Sequence, residues 1–401
     1  MNLIKILQKL IRYKLIWWVP SKSDILIIDN CHKELIMDVL DSWSVSFVNT
    51  RDSGEMKKEI NMICLLFAIM KIIYHRDFRN QASYFNNYID SYIQLVKPKL
   101  VVTTIDNNIN FYTISKRNAK VKTMLIQNAS RYYYGALEYL AENKNSRDSL
   151  KVDYMITLGI NIGSEYYGKY IEGDVVPIGS LKNNMIYCDN VLKKSNTIAF
   201  ASQYRTDIGE PVFTGQWFSY DEYFNKPNRF VVMYLMDYAK KNGKEFVIIP
   251  CANDSTKMKE ELEYYKELTG EECLFSRYRY GNYKESYCDV DSVEVLVTID
   301  STLGYECVAR GGKNAFFHVR SNIIGQDEPY RTDFGWPKEY PDVGPFWTNL
   351  PDVNIFDRIL DYLFQINNDD WSEELIKYDF DNIITYDRGN SRLLSVLDDV
   401  I

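Results

Sequence analysis

Residues 293–319 read VEVLVTIDSTLGYECVARGGKNAFFHV, two apolar runs separated by an amphipathic segment. The pattern predicts a strand at Val293 to Ile299, a helix that begins after Ser301, and a second strand at Ala315 to Val319. Ser301 is a preferred helix N-cap residue, and the glycine pair before the second strand is typical of a helix end. The stretch therefore predicts one strand–helix–strand unit of a parallel α/β sheet.

The same alternation of short apolar runs and amphipathic segments continues over the whole chain from Asp24 onward. Further strands are predicted at 24–29, 45–48, 100–105, 122–126, 154–158, 175–178, near 196 and at 246–250. Helices are predicted at 32–43, 55–74, 82–95, 108–116, 229–242, 255–268, 354–365 and 372–377. We therefore predict an α/β protein with two tandem Rossmann-like domains, residues 21–185 and 195–350, facing each other across a cleft. C-terminal helices are expected at 351–401.

The 401-residue chain has 47 Lys and Arg against 55 Asp and Glu, a formal net charge of −8. A nucleic-acid partner is therefore not expected, and any anionic ligand must be held by a local site. Seven Cys occur without a CxxC pair, and three His lie far apart. This pattern predicts buried thiols in a reducing cytoplasm and no zinc site.

The first 20 residues are apolar and basic, with no acidic residue, and end near Trp17 and Trp18. The spacing predicts a basic amphipathic helix over 1–20, and lying on anionic lipid is one interpretation of it. The equally weighted alternative is a first helix docked on the protein's own core. Because no uncharged run is long enough for a signal peptide or a membrane span, we expect a cytoplasmic protein, peripheral on the inner face of the cytoplasmic membrane.

Polar side chains follow the strand predicted at Val293 to Ile299, and then a helix begins. Backbone N–H groups, hydroxyls of Ser301 and Thr302, and the positive end of the helix dipole converge there and could hold a phosphate. Gly304 would let a ligand approach the backbone, and Glu306 could accept from ribose hydroxyls. A capped joint without a ligand is the alternative, which capping alone favours.

The string DSTLGYE at 300–306, followed by ARG at 309–311 and a strand, resembles the donor-nucleotide segment of GT-B glycosyltransferases that build bacterial surface polysaccharides. The related segment of UDP-N-acetylglucosamine 2-epimerases carries paired glycines, which this chain lacks, and that difference favours the transferase. The resemblance implies phosphate contacts from Ser301, Thr302 and Gly304, and a ribose contact from Glu306.

Residues 89–131 look like the acceptor domain of the same surface-carbohydrate biosynthesis proteins. The usual Ile-Gln-Asn-Gly turn of that family reads Ile-Gln-Asn-Ala here, ending at Ala129, so a glycine nest is not expected. The resemblance implies acceptor-side contacts from Gln127 and Asn128.

Other candidates follow predicted strands, where ligands of doubly wound folds bind. In the first domain, Asp106, Asp29 and His32 are candidates for the catalytic carboxylate or base, with helix capping as the alternative for both Asp. In the second domain, the nucleotide and donor candidates are Ser202, Gln203, Arg205, Arg277, Arg279, His318 and Arg320. The four arginines among them would suit the carboxylate of a CMP-linked ulosonic acid such as Kdo.

Taken together, the sequence predicts a metal-independent GT-B-type glycosyltransferase of lipopolysaccharide, O-antigen or capsule assembly. It would move a sugar from a nucleotide-activated donor to a glycan or lipid-linked acceptor. No DxD motif stands where it could clamp a metal–diphosphate group, so neither a metal nor a cofactor is expected. The alternatives are a nucleotide-sugar 2-epimerase and a non-catalytic membrane-associated scaffold.

Overall fold

The structure is a computed structural model. It describes residues 13–29, 33–50, 58–75, 81–130, 137, 150–188, 191–206, 212–251, 255–270, 274–275, 284–326 and 330–401. The chain divides into two compact units. The N-terminal unit comprises residues 1–128, 136–182 and 387–401, and the C-terminal unit comprises 129–135 and 183–386.

The N-terminal unit is built on one parallel sheet with a two-stranded addition. Its strands are β1 (Lys14–Ile16), β2 (Ile25–Ile28), β3 (Val45–Val48), β4 (Glu59–Asn61), β5 (Leu100–Thr103), β6 (Lys122–Ile126), β7 (Lys151–Thr157) and β8 (Glu172–Pro177). The helices of this part of the chain are α1 (Lys33–Val39), α2 (Met62–His75), α3 (Gln81–Val96), α4 (Ile114–Arg117), α5 (Gly168–Tyr170) and α6 (Leu181–Asn184).

Six of these strands form the main sheet in the order β3-β2-β5-β6-β7-β8, all parallel. Strands β2 and β5 are buried along their whole length, as expected for parallel strands covered on both faces. Along the chain, the next strands of this sheet after β2 are β3 and β5, and they lie on opposite sides of β2. The pair β2 and β5 is therefore a topological switch point, where doubly wound folds bind ligands.

The C-terminal unit contains a second six-stranded sheet and most of the remaining helices. Its strands are β9 (Lys194–Ala201), β10 (Val212–Thr214), β11 (Gln216–Phe218), β12 (Glu245–Ile249), β13 (Leu274–Phe275), β14 (Val293–Thr298), β15 (Asn314–Phe317) and β16 (Trp347–Thr348). Its helices are α7 (Lys226–Asn242), α8 (Ser255–Thr269), α9 (Lys284–Ser292), α10 (Thr302–Ala309), α11 (Arg320–Ile324), α12 (Val353–Gln365), α13 (Asn368–Lys377) and α14 (Phe380–Ile383). The last helix, α15 (Ser391–Val400), belongs to the N-terminal unit.

The C-terminal sheet has the order β13-β12-β9-β14-β15-β16, again all parallel. In chain order this is 3-2-1-4-5-6, the arrangement of dinucleotide-binding Rossmann folds, with its switch point between β9 and β14. The prediction of an α/β protein with two Rossmann-like sheets is therefore confirmed. The predicted C-terminal segment 351–401 divides between the units, because α12, α13 and α14 pack in the C-terminal unit.

The predicted helix over residues 1–20 is wrong where the structure describes that segment. Lys14–Ile16 is strand β1, parallel to β4, and Lys14 Nζ lies 2.7 Å from Glu59 Oε1. The following Trp-Trp-Val run and Pro20 favour extended backbone over helix. Residues 1–12 lie outside the described part of the chain. Within the described part, no helix is long and apolar enough to cross a membrane.

Two other predicted helices differ from the sequence pattern in where they begin or in helix type. The helix predicted at 55–74 begins only at Met62, because Asn61 Oδ1 accepts hydrogen bonds from the N–H groups of Ile63 and Cys64, both at 3.0 Å. That cap ends strand β4 and starts α2. The helix predicted at 108–116 is a 3-10 turn at Ile109–Thr113 followed by α4.

The expectation of only free thiols is also wrong. Cys188 and Cys288 form a disulfide within the C-terminal unit, with Cα atoms 5.5 Å apart. The two residues are 100 positions apart, so no local spacing could indicate the pairing. Cys64, Cys251 and Cys307 are free thiols.

Helix α12 is part of the core of the C-terminal unit, as Phe356 shows. This side chain is fully buried and stacks on Phe317 of β15, with ring centroids 4.0 Å apart. Phe356→Ala should therefore lower the free energy of unfolding of this unit by about 3–5 kcal/mol. Chemical denaturation followed by tryptophan fluorescence measures the change.

Val353→Ala on the same helix is the matched control, since Val353 is 47% exposed and should cost less than about 1 kcal/mol. If Phe356→Ala left the unfolding of the C-terminal unit unchanged, α12 would not belong to this core.

Candidate functional site

The carboxyl ends of three neighbouring strands, β9, β14 and β15, bring together several of the predicted donor residues. Gln203 follows β9, Asp300 and Ser301 follow β14, and His318 and Arg320 follow β15. They surround the switch point of the C-terminal sheet. The sequence therefore predicted that these residues share one edge of the sheet, and a donor site at this edge stays a prediction.

A buried ion pair holds these strand ends together. Arg320 is 1% exposed, and its Nε and Nη2 donate to the two carboxylate oxygens of Asp300 at 2.6 and 2.8 Å. Nη2 also donates to Gln203 Oε1 at 2.6 Å, and Nη1 donates to the carbonyl of Tyr223. Burial raises the pKa of Asp300, but Arg320 outweighs it and the net pKa is lowered, so the carboxylate is charged. The predicted donor contact of Arg320 is thus replaced by a structural role.

Helix α10 begins directly after this pair. Ser301 is its N-cap, and its hydroxyl oxygen accepts from the N–H of Leu303 at 3.3 Å. Thr302 Oγ1 accepts from the backbone N–H of Ser130 at 2.9 Å and lies 2.8 Å from Ser130 Oγ. Ser130 belongs to the short stretch 129–135 that packs with the C-terminal unit. Sequence reasoning missed Ser130, although it lies just after the predicted Gln-Asn turn.

Gly304 and Glu306 make packing contacts within the unit that the sequence did not indicate. A Cβ at Gly304 would lie 2.4 Å from Thr298 Oγ1 and 2.9 Å from Asn314 Nδ2. The glycine therefore allows close packing of α10 on β14 and β15, and does not open the backbone to a ligand. Glu306 is 5% exposed and accepts from Tyr287 O–H at 2.9 Å. One carboxylate oxygen of Glu306 is thus engaged with Tyr287, and a ribose contact from Glu306 stays a prediction.

His318 lies beneath the same edge, fully buried, with Nε2 3.1 Å from Tyr305 Oη. Burial lowers the pKa of His318 to about 4; Asp300 opposes this shift and Arg320 adds to it. The imidazole is therefore neutral at physiological pH. It cannot supply a positive charge to a phosphate, and its predicted contact with the donor is replaced by packing in the core.

The loop after β9 is fixed by a buried carboxylate that sequence reasoning did not find. Ser202 Oγ donates to Glu261 Oε1 and lies 2.7 Å from Tyr265 Oη. Glu261 is fully buried on α8 and also accepts from the N–H of Cys251 at 3.1 Å. Glu261 and Tyr265 are four positions apart on one helix, and this spacing was the sequence signal that could have indicated a shared polar cluster. Ser202 is therefore turned into the unit, and its predicted phosphate contact is not supported.

Arg205 is the predicted donor-site cation that the structure leaves exposed. Its backbone N–H donates to Asn225 Oδ1 at 3.1 Å, and its carbonyl accepts from Asn225 Nδ2 at 2.9 Å. The guanidinium carbon lies 5.2 Å from the ring centroid of Phe224. The loop backbone is thus anchored by Asn225, and the guanidinium lies at the surface after β9, the strand beside β14.

In the N-terminal unit, Asp29 and Asp106 follow the two strands of the switch point. Asp29 is 1% exposed, has a left-handed φ of 54°, and accepts from Thr50 N–H and Thr50 Oγ1, both at 2.6 Å. It also accepts from Asn108 Nδ2 at 3.2 Å. Asp106 is 2% exposed and accepts from Tyr167 O–H at 2.7 Å. Both carboxylates therefore join strand ends to neighbouring loops, and a catalytic role for either stays a prediction.

The acceptor-side candidates differ in exposure. Gln127 is 3% exposed, and its Oε1 accepts from Leu158 N–H at 2.9 Å. Asn128 is half-buried, and both Gln127 and Asn128 line a small pocket with Thr104, Ser180 and Lys182. Asn128 is the more exposed of the two.

Three candidates, His32, Arg277 and Arg279, lie outside the described residues. Among the residues that the structure does describe, no three His, Cys, Asp or Glu side chains are grouped in a way that could hold a metal ion.

The neutral state of His318 predicts a pH dependence of stability. Below its ordinary pKa of 6.5 the unfolded chain takes up a proton, whereas the folded protein does so only near 4. Stability is therefore lost as the pH falls from about 6.5 to about 4, and the loss between pH 7 and pH 5 should be about 2 kcal/mol.

His318→Gln removes the titrating group and keeps a hydrogen-bonding side chain for Tyr305. Denaturant unfolding of both proteins at pH 7 and pH 5 should show the smaller loss in the variant. Equal losses in the two proteins would contradict a neutral, buried His318.

The fold recurs in solved structures of low sequence identity. The UDP-GlcNAc 2-epimerase of Methanocaldococcus jannaschii, in complex with UDP-GlcNAc and UDP, matches with a TM-score of 0.51 at 9% identity, over 94% of this chain and 99% of that one. A glycosyltransferase of Rickettsia africae matches with a TM-score of 0.51 at 9% identity, over 95% and 99% of the two chains. A variant of the wall teichoic acid polymerase TagF matches with a TM-score of 0.52 at 12% identity, over 95% and 90%. These similarities show the GT-B fold.

No curated protein matches the chain in sequence. A family model does match residues 124–401, and its description is "putative O-antigen biosynthesis protein". The match covers more than half of the chain and includes strand β14, helix α10 and strand β15. The resemblance to surface-carbohydrate biosynthesis proteins is thereby confirmed, and the chain belongs to this O-antigen biosynthesis family.

Proposed function

We propose that the protein is a glycosyltransferase that moves a sugar from a nucleotide-activated donor to a glycan or lipid-linked acceptor in O-antigen biosynthesis. The observation that carries the proposal is the start of α10 at the switch point of a 3-2-1-4-5-6 sheet. The N-terminus of a helix at this position attracts phosphate through its backbone N–H groups and its dipole. Family membership supplies the biosynthetic context, and the fold is shared with glycosyltransferases.

In this proposal the donor phosphates bind at the first turn of α10. Ser301 contributes its hydroxyl, and Arg205 on the loop after β9 is the exposed cation of the same edge. Asp300 and Arg320 act beneath them as positioning residues. The acceptor side would include Asn128 in the N-terminal unit. Catalysis would then rest on positioning and on one carboxylate acting as base.

Asp106, at the end of β5, is our candidate for that base. Its buried carboxylate already accepts a hydrogen bond from Tyr167, so it is held in one orientation. No metal is required in the proposal, because the sequence offers no DxD clamp. Activity that survives EDTA would support this part.

The positions of the arginines bear on which class of donor sugar the protein could use. Four arginines could contact the carboxylate of a CMP-linked ulosonic acid, and the sequence favours that donor for this reason. One of them, Arg320, forms an ion pair with Asp300 instead. Arg277 and Arg279 lie outside the described residues, which leaves Arg205 as the described support for that donor. Calorimetry with CMP, UDP and GDP would separate the classes, and binding of UDP or GDP without CMP would remove the ulosonic acid.

The phosphate site is tested with two helix caps of the same unit. Ser301→Ala removes the cap of α10, and Asp352→Ala removes the cap of α12, where Asp352 accepts from Asn354 N–H at 2.8 Å. Each should cost about 1 kcal/mol of stability. Only Ser301→Ala should also weaken nucleotide binding in calorimetry, by about tenfold, because it alone removes a phosphate contact. An equal effect, or none, on nucleotide binding in both variants would contradict the site.

The reaction type is tested by leaving out the acceptor. The purified protein is incubated with UDP-GlcNAc alone, and nucleotide release and sugar products are followed by chromatography. The transferase proposal expects no rearranged sugar, whereas 2-epimerase turnover without an acceptor would contradict it. Absence of any nucleotide binding across the panel would favour a non-catalytic scaffold.

We also propose that the protein works at the cytoplasmic face of the membrane. The support is the basic, acid-free sequence of residues 1–12, together with a biosynthetic role that uses a lipid-linked acceptor.

A further inference from the structure

Helix α2 exposes an unusual amount of apolar surface for a helix of a water-exposed unit. Its sequence MICLLFAIMKIIYH contains Lys71 as its single charge before His75. One stripe, formed by Cys64, Ala68 and Ile72, is no more than 2% exposed. A helix that is apolar around its circumference is normally buried on all sides. In the described part of the chain, the opposite side of the helix is exposed.

The uncovered side is continuous by helical spacing. Its members are Leu66 at 57%, Phe67 at 41%, Ile69 at 41%, Met70 at 47%, Ile73 at 57% and Tyr74 at 83% exposure. We call these six residues the α2 apolar face. Residues three, four and seven positions apart share one side of a helix, so Leu66, Ile69, Met70 and Ile73 form a stripe.

Two tryptophans extend this surface at the start of α2. Trp17 and Trp18 are 65% and 67% exposed. The carbonyl of Trp18 accepts from Nδ2 of Asn61, the residue that caps α2, at 2.9 Å. The tryptophans and the first turn of α2 are therefore held together. The stripe on α2 is contiguous by helical spacing, and an exposed apolar stripe of this kind marks an interaction site.

Among the described residues of this surface, Lys14, Lys58 and Lys71 are basic and Glu59 is acidic. The segment 62–75 contains no acidic residue, and neither do residues 1–20, which include Lys5, Lys9 and Arg12. Lys14 has a side chain 63% exposed, and its partner Glu59 is the acidic residue beside it. Burial lowers the pKa of Lys71, with Asp90 opposing. An anionic surface is the complementary partner.

We propose that the α2 apolar face, with Trp17 and Trp18, docks on an anionic lipid bilayer. Helix α2 has 14 residues and is thus about 21 Å long, too short to cross the hydrocarbon core, so it would lie in the plane of the interface. Trp and Tyr side chains favour the headgroup level, and Trp17, Trp18 and Tyr74 are exposed where they could occupy it. Lys14, whose side chain is 63% exposed, would contact the anionic headgroups.

The proposal differs from an N-terminal amphipathic helix as the anchor. It places the apolar contact on α2, whose buried stripe of Cys64, Ala68 and Ile72 packs within the N-terminal unit. The proposal does not depend on the glycosyltransferase assignment. The competing occupant of such a surface is a second copy of the chain. The charge argument favours the bilayer, because two copies would bring like charges together.

The test is flotation of the full chain with vesicles of phosphatidylglycerol and phosphatidylethanolamine, and with vesicles of phosphatidylcholine alone. The wild-type protein should bind the anionic vesicles and bind phosphatidylcholine weakly. Leu66→Gln/Ile73→Gln removes two central side chains of the face, and its partition to anionic vesicles should fall by about tenfold or more. Gln keeps helix propensity, and circular dichroism checks the fold.

The matched control is Val353→Gln/Ile376→Gln, two exposed apolar residues on helices of the C-terminal unit. It should bind vesicles like the wild type. Unchanged binding of Leu66→Gln/Ile73→Gln, or no binding by the wild type, would overturn the proposal. A wild-type dimer in light scattering that this variant converts to a monomer, without vesicle binding, would assign the face to a second copy. Nucleotide affinity should be the same in all three proteins, which separates this outcome from a failure of the proposed activity.

Discussion

The buried ion pair between Asp300 and Arg320 is the interaction on which the strand ends of the C-terminal unit depend. It connects the ends of β14 and β15 directly, and through Gln203 and the carbonyl of Tyr223 it also reaches the end of β9 and the turn before α7. Removing one partner of such a pair leaves an uncompensated buried charge, at a cost of about 3–5 kcal/mol. Because Asp300 immediately precedes Ser301, the pair also determines where α10 begins.

In the N-terminal unit a buried carboxylate also joins strand ends, here through uncharged residues. Asp29 follows β2 and is held by Thr50, which follows β3, and by Asn108, which comes after β5. In both sheets a carboxylate at the switch point therefore joins three strand ends. Its oxygens are occupied within the unit, so each carboxylate positions backbone and hydroxyl groups around it.

Local pattern predicted the sheets well, because parallel strands covered on both faces are largely apolar, as in the fully buried Ile25–Ile28 and the mostly buried Val293–Thr298. It failed where structure depends on distant partners. Strand β1 exists because it pairs with β4, and the Cys188–Cys288 link spans 100 residues. The roles of Gly304 and Glu306 depend on how α10 is rotated against the sheet, which a motif cannot show. The motif did predict that Asp300 and Ser301 lie between the end of β14 and the start of α10, since strand ends and helix caps are encoded locally.

The electrostatics of this edge restrict how it could hold a nucleotide. Arg320 is neutralised by Asp300, and His318 is uncharged because it is buried. A helix N-terminus contributes only about 0.3–2 kcal/mol to anion binding, whereas a dissociation constant of 1 mM already requires about 4 kcal/mol. Most of the affinity for a donor must therefore come from contacts to its base and sugar, and from exposed groups such as Arg205. Loops around the switch point supply such contacts in doubly wound folds, so discrimination between donors would depend on those loops, while the start of α10 would set the position of the phosphates in the proposed site.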